Sequence, residues 1–333
     1  GKVPPNAAPP VRPEGDATGD KTFTPDDVVF LTGQYFVKDT HTLTVPAGAT
    51  VYALADDGQG KAPAIVVEQG GKIEAAGTKS KPITFTSALP ESALPTRGTW
   101  GGLVLLGKAP IDKTGTRDIE GLNGKPYGGT AADDNSGTLQ YVRVWYGGRD
   151  IDPDPSNPEN SGNEINGITF GGVGSGTTVD HCEVAWNKDD GFEFFGGSVN
   201  VKYLSAIFCG DDSFDTDQGY VGKMQYLFAL VGEEGHHAAE MDGVGSGGTT
   251  RSSPTVYGAT FISGGQNNKH TSLGSDAVIY YTDKASGTFK NMVITNTAKA
   301  NSIKIDGPST NSGGDNSCDG SGVSWSSKNI IFN

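Results

Sequence analysis

The chain has 333 residues, 50 of them glycine, and a formal net charge of −14. Glycine stands at about twice its usual ~7% share, and no basic stripe exists to replace phosphate counterions, which argues against a nucleic-acid partner. No apolar run approaches the ~20 residues needed to span a bilayer, and no amphipathic helix of ordinary length can be drawn. Short β-branched and aromatic runs alternate instead with GG, SG, DG and NG punctuation, the pattern of many strands joined by tight turns.

In chain order, residues 1–25 are rich in Pro, Gly and Asp and are expected to form a flexible arm. No N-terminal stretch follows the basic-then-apolar plan of a signal peptide; with Gly1 as the first residue, a processed mature form is expected. Structured sequence is expected over 26–333, beginning with VVFLTGQYFV and continuing through the strands TLTV, ATVYAL, AIVVE, KIEA, PITFT and GLVLLG. Polar stretches at 112–135, 147–164 and 307–322 read as long loops leaving the strands, with a final strand at 325–332.

From Leu139 onward one spelling recurs: hydrophobic-x-x-hydrophobic-x-hydrophobic. Its copies are LQYVRV, VDHCEV, VKYLSA, MQYLFA, VYGATF, FKNMVI and SKNIIF, starting at residues 139, 179, 201, 224, 256, 289 and 327. The third position is often Tyr, His or Asn. Recurrence at 20–50 residues is the signature of stacked repeats, in which each unit buries its apolar face only against its neighbours. A second ladder follows in step, NGITF, DGFEF, DSFDT, HAAEM and NSIKI, starting at 166, 190, 212, 237 and 301. The two ladders together predict an all-β, single-stranded, right-handed parallel β-helix with about 22–25 residues per turn and turns ~4.8 Å apart.

The segments LTVPAGATVYA, GGKIEAAGTKSKPITFTS, GTWGGLVLLGKAPI, NEINGITFGGVGSGTTVDHCEVAWNKDDGFEFFGG and GDDSFDTDQGY resemble a family of secreted bacterial β-helix proteins, over residues 40–235. The resemblance implies a pectin-lyase-like coil exported to the cell surface or beyond. It implies little chemistry.

Stacking the second ladder aligns polar residues. One column runs Asn166, Asp190, Asp212, His237, continued by Asp276 and Asn301; Asp189, Asp211 and His236 flank it. A second runs Thr169, Glu193, Asp215, Glu240 and Lys304, extended by Asp217 and Asp242. Alternation along a strand turns Phe192 and Phe194 inward and Glu193 outward. Two carboxylates ~5 Å apart at an effective dielectric of ~20 repel by about 3 kcal/mol. Few bases lie nearby in sequence (Lys188, Lys202, Lys223), so a hard, oxygen-ligated cation such as Ca2+ is the expected neutraliser. Its candidate ligands are Asp189, Asp190, Glu193, Asp211, Asp212, Asp215, Asp217, Glu240 and Asp242. The competing reading is that Asn and Asp at coil turns serve the backbone, by tolerating left-handed geometry and capping N–H groups.

The order NKDDGFE, GDDSFD, GHH and SIK is also similar to the motif blocks of polygalacturonase-type glycosidases: Asn-Thr-Asp, Asp-Asp, Gly-His-Gly and Arg-Ile-Lys. That similarity assigns catalytic roles to Asp190, Asp211, Asp212 and His236, with Lys304 gripping an acidic sugar, and inverting hydrolysis does use two separated carboxyl groups. The departures are Lys188 for Thr, His237 for the second Gly and Ser302 for Arg. Lys304 also falls two turns beyond His237, where one is expected. A lyase would want an Arg or Lys base, and no Arg lies between Arg149 and Arg251. His236 and His237 suggest a transition metal with Glu240, although strand alternation would send adjacent histidines to opposite faces.

Cys182, at the second hydrophobic of its repeat, reads as a core residue, and a Cys209–Cys318 bridge stays open. Trp100, Trp145, Tyr146, Trp186 and Tyr220 either stack on sugars or pack loops onto the coil. The expected function is a non-catalytic, Ca2+-stabilised extracellular β-helix used in adhesion, glycan contact or self-association through its ends or N-terminal arm. The alternative is an enzyme acting on an acidic polysaccharide.

Overall fold

A computed structural model of the chain describes residues 9–153, 156, 162–270, 277–297, 301–305, 323–325 and 330–332. Its strands coil into a parallel β-helix of ten rungs. One face is a ten-stranded parallel sheet formed by Gly15–Asp16, Gln34–Val37, Ala64–Val67, Leu103–Leu106, Ile168–Gly171, Phe192–Phe195, Phe214–Asp217, Ala239–Met241, Ala277–Tyr281 and Asn301–Ile305. A 15-stranded sheet supplies the other two faces. Parallel neighbours reached by crossovers take the right-handed sense almost without exception.

The recurring six-residue spelling has a backbone cause. Its third position holds Tyr141, His181, Tyr203, Tyr226, Gly258 and Asn291, all at positive φ between 49° and 76°. This left-handed residue bends the strand, so the flanking hydrophobics stand three apart rather than two and still both enter the core. The copies pair as their spelling predicts, Leu139 with Val179, then Val201, Met224, Val256 and Phe289. At the last rung the second half aligns, Met292 with Ile330, but Phe289 pairs with Trp325; Ser327 lies outside the described residues. Cys182 is buried opposite Leu204, as a core residue should be.

The interior is a continuous apolar column in which aromatic rings repeat the rung spacing. Phe170 stacks on Phe194 at 4.8 Å and Phe192 on Phe214 at 5.4 Å between ring centroids. Trp100 and Tyr220 are buried in it, donating to the carbonyls of Trp145 and Val199 at 2.8 Å each. These two aromatics therefore pack the coil.

Two expectations are corrected. The segment 1–25 is not a free arm from residue 9 onward. Val11 bridges to Val29, Gly15–Asp16 and Lys21–Thr22 pair with the next rung, and Phe23 is buried. The stretch 112–135 does not leave the coil either. It forms a small hairpin, Arg117–Asp118 with Pro126–Tyr127, and lies back over the ten-stranded face. The reason is that this face is apolar outside as well as inside. Val66, Val104 and Leu106 point outward and are fully buried in a second cluster with Ile119, Leu122, Tyr127 and Ile151. The stretch 307–322 and Cys318 lie outside the described residues, and Cys209 is a buried free thiol.

Candidate functional site

The second ladder is the ten-stranded face, and each copy enters its strand through a polar residue followed by a small one. At Gly191 the next rung enforces glycine: a Cβ there would meet the Ser213 carbonyl oxygen at 2.6 Å. The residue before it serves the backbone. Asp190 Oδ1 accepts the N–H of Asp212 at 2.8 Å, and Asp212 Oδ1 accepts the N–H of His237 at 2.6 Å. The capping role is thus realised at Asp190 and Asp212, each through one carboxylate oxygen. The register places Ala277 opposite Asn301, and Asp276 lies outside the described residues.

The second column is in register throughout. Thr169 pairs with Glu193, Glu193 with Asp215, Asp215 with Glu240, Glu240 with Tyr280 and Tyr280 with Lys304. Glu193 points out of the coil but not into water: with the 112–135 segment laid over this face it is only 8% exposed, and Asp215 only 7%. Glu193 accepts a hydrogen bond from Asn166 Nδ2, and Asn166 Nδ2 also donates to Thr169 Oγ1 at 3.1 Å. Asp215 Oδ1 is buried and has no hydrogen-bond partner among the described residues.

Burying several carboxyl groups together penalises the charged form at every one. Burial, then the charges of Asp189 and Asp212, holds Asp190 well above the usual carboxylate range. Burial, then Glu193 and Asp190, does the same to Asp215. Glu193 and Asp212 are raised likewise, burial leading in both. Glu240 is pushed up to about 9 by burial, by the Asp212 charge and by a hydrogen bond to Asp212. At the margins burial lifts Asp189 to about 7 and Asp217 to about 6.

Of the nearby bases in the sequence, Lys188 offsets only a small part of this, at Asp189. Lys188 Nζ pairs with Glu164 at 3.0 Å, and Lys202 and Lys223 line a groove beside Thr178 and Asn200, on the other sheet. The folded-back segment brings groups that sequence spacing did not reveal. Arg117 forks onto the buried Asp112 at 2.8 and 3.1 Å. With Lys113, Glu120 and Tyr127 it lines a cleft of about 760 Å³ whose floor includes Glu193 and Asp217. Nothing periodic in 112–135 could have flagged these residues.

His236 and His237 break the expected alternation. They precede the strand Ala239–Met241 rather than lying in it, and their rings stack at 3.7 Å. His237 Nδ1 lies 2.9 Å from Asp212 Oδ1 and 3.8 Å from Glu240 Oε1; His236 Nδ1 lies 3.3 Å from Asp211 Oδ1 and 3.9 Å from Asp212 Oδ1. Of the glycosidase-like set, Asp190, Asp211, Asp212 and His236 therefore converge. Lys304 does not: it stands two rungs beyond Glu240, its Nζ 4.9 Å from the Tyr280 ring centroid.

Four groups bring potential ligand atoms within 4.8 Å of one another: Asp189–Asp190–Asp211, Asp190–Glu193–Asp215, Asp212–Asp215–Glu240 and Asp212–His236–His237. Seven of the nine candidate acidic ligands fall in these groups. Asp217 lines the cleft, and Asp242 falls in none of them. Three of the groups are all-carboxylate, the donor chemistry of a hard cation. Among the described residues no helix is long and apolar enough to cross a membrane.

A family model described as a pectate-lyase like beta helix domain matches residues 15–327. No curated protein and no solved structure matches the chain.

Proposed function

The chain belongs to the pectate-lyase-like β-helix domain family, and from that premise we propose that it is an exported, non-catalytic scaffold. Hard cations of the Ca2+ class hold its acidic face together. Its long face and open ends serve adhesion, contact with acidic glycans or end-to-end assembly. One observation carries the cation reading: Asp215 Oδ1 is buried between Glu193 and Glu240 without a hydrogen-bond partner among the described residues. A buried, unpartnered carboxylate oxygen costs about 1–3 kcal/mol or more, and its neighbours on both sides are acids too. Ca2+ takes six to eight oxygens at ~2.3–2.6 Å, which Asp190, Glu193, Asp212, Asp215 and Glu240 can supply in part, with water completing the set. The cleft above Glu193 gives a bound cation a way in, and Lys113 and Arg117 on its rim suit an anionic sugar.

Thermal melts after chelation and with added Ca2+ test this reading. A cation bound only by the folded state at 100 times its Kd adds about 2.7 kcal/mol, so the melting temperature should rise saturably with Ca2+. The rise should vanish in Asp215→Asn. An unchanged melting temperature in chelator and Ca2+ sinks the cation reading.

The convergence of Asp190, Asp211, Asp212 and His236 favours a second reading, hydrolysis of an acidic polysaccharide. The displaced Lys304 counts against it. Release of reducing ends from pectic substrates, lost in Asp211→Asn or Asp212→Asn, would replace the scaffold reading with this one.

A further inference from the structure

The five histidines of the chain are unevenly placed. Three of them meet at one corner of the acidic face: His236 stacks on His237 at 3.7 Å and on His270 at 5.1 Å between ring centroids. We infer that Asp212, His236 and His237, with Asp211 and His270 beside them, form a transition-metal site of the zinc class. Its mixed donor chemistry differs from that of the all-carboxylate groups proposed to hold Ca2+, with which it shares only Asp212 among its three core ligands.

Three observations carry the inference. First, the donors are mixed nitrogen and oxygen. Imidazole suits Zn2+, Cu2+, Ni2+ and Fe2+, whereas the hard alkaline-earth ions prefer oxygen alone. Second, the spacing fits one small ion. Zinc bound at ~2.0–2.2 Å in a tetrahedron sets its ligand atoms about 3.3–3.6 Å apart. The separations here are 2.9 Å from His237 Nδ1 to Asp212 Oδ1, 3.9 Å from His236 Nδ1 to Asp212 Oδ1, and 3.3 Å from His236 Nδ1 to Asp211 Oδ1. They straddle that edge length, so small rotations of the rings and carboxylates bring the nitrogens onto one ion. Third, His270 Nδ1 is buried and has no hydrogen-bond partner among the described residues, which sets a third imidazole nitrogen beside His236.

The site has a closed half and an open half. Asp212 and His237 are buried, whereas the Asp211 carboxylate is half exposed and the His236 ring partly so. A metal enters from the open side and keeps room there for water or a small anionic ligand. The backbone fixes the closed half, because the Asp212 side chain also holds the His237 N–H at 2.6 Å. The adjacency of the two imidazoles, ahead of the strand rather than within it, is what lets both face Asp212.

Cobalt is the probe. The full chain, stripped with chelator and desalted into buffer with excess Ca2+, is titrated with Co2+, and the visible d–d absorption and its shape are recorded. A saturable band near one ion per chain is expected, with His236→Ala and His236→Gln each weakening binding more than tenfold, since even ligand-supporting groups cost 10–100-fold. Glu193→Gln, which removes a carboxylate from the Ca2+ groups only, should leave the cobalt band unchanged while it weakens the Ca2+ effect on melting. The absence of a saturable band in the wild-type chain overturns the inference, with no variant needed. A band unchanged in both His236 variants, or displaced by the excess Ca2+, overturns it as well. Failure of the Ca2+ melting experiment leaves the cobalt result standing, and the reverse also holds.

Discussion

Asp190 and Asp212 occupy the same position one rung apart, and the Asp190 carboxylate accepts the Asp212 N–H at 2.8 Å. The Asp212 carboxylate does the same for His237. Each acid thus gives one carboxylate oxygen to the backbone of the next rung. Of the competing readings of these aspartates, the capping one is seen directly in the hydrogen bonds, and ligation is the part that the proposal adds.

The amide and the methyl should separate those duties at Asp212. Asp212→Asn keeps an oxygen for the His237 N–H and removes a charge from the cluster. In chelator it should melt at or above the wild-type temperature, and with Ca2+ below it. Asp212→Ala removes the acceptor from a buried N–H and should cost about 1–3 kcal/mol in either buffer. Thermal melts of both variants, with and without Ca2+, check this.

The pH dependence of the metal-free protein should run opposite to the usual acid denaturation of carboxylate-rich proteins. Folding raises Glu240 to about 9, Asp189 to about 7 and Asp217 to about 6, and burial raises Asp190, Glu193, Asp212 and Asp215 as well. The folded state therefore binds more protons than the unfolded chain, so stability falls as pH rises. The contribution is complete below the unfolded carboxylate values of about 4 and is lost progressively up to pH 9. Bound Ca2+ competes with those protons and should flatten or reverse the slope. Melting temperature against pH, in chelator and in Ca2+, reads both effects.

The left-handed column at the bend makes a different test. Tyr203 holds φ 55° and stacks with His181 at 4.4 Å and Tyr226 at 4.9 Å. Left-handed geometry costs an ordinary L-residue about 1–2 kcal/mol, and Asn tolerates it best after Gly. Tyr203→Asn relieves the backbone while losing stacking worth about 0.5–1.5 kcal/mol, so it should be close to neutral. Tyr203→Val loses the stack and puts a β-branched residue at positive φ. It should be the more destabilising of the two by denaturant melts.

The folded-back segment can be lifted by one charge. Leu122 is buried in the outer cluster with Val66, Val104 and Leu106. Leu122→Asp should expose that cluster, raise binding of a hydrophobic dye and promote aggregation at constant far-ultraviolet circular dichroism. It should also weaken the Ca2+ effect on melting, because Glu193 and Asp215 would then face water.

Much of this molecule was legible before folding. The spelling at 139, 179, 201, 224, 256 and 289 is a lattice of apolar residues whose period the coil must satisfy, so register, core and the Glu193–Asp215–Glu240 column could be read directly. The same ruler put Lys304 two rungs past Glu240, and the sheet agrees. The docking of residues 9–25 was hidden because Val11 and Phe23 are isolated apolar residues among Pro, Gly and Asp, with no period to announce them.

Sequence by itself determined the coil, because strand-sized periodicity is a local property that stacking merely repeats. Tertiary structure alone decided that the acidic column is buried. That depends on Ile119, Leu122 and Tyr127 finding the apolar outer face of strands distant in sequence. It also decided that His236 and His237 face the same carboxylate, since alternation holds only within a strand and these two residues stop short of one. A cluster of acids in water needs no explanation. The same cluster under a lid of apolar side chains must be protonated or hold a cation.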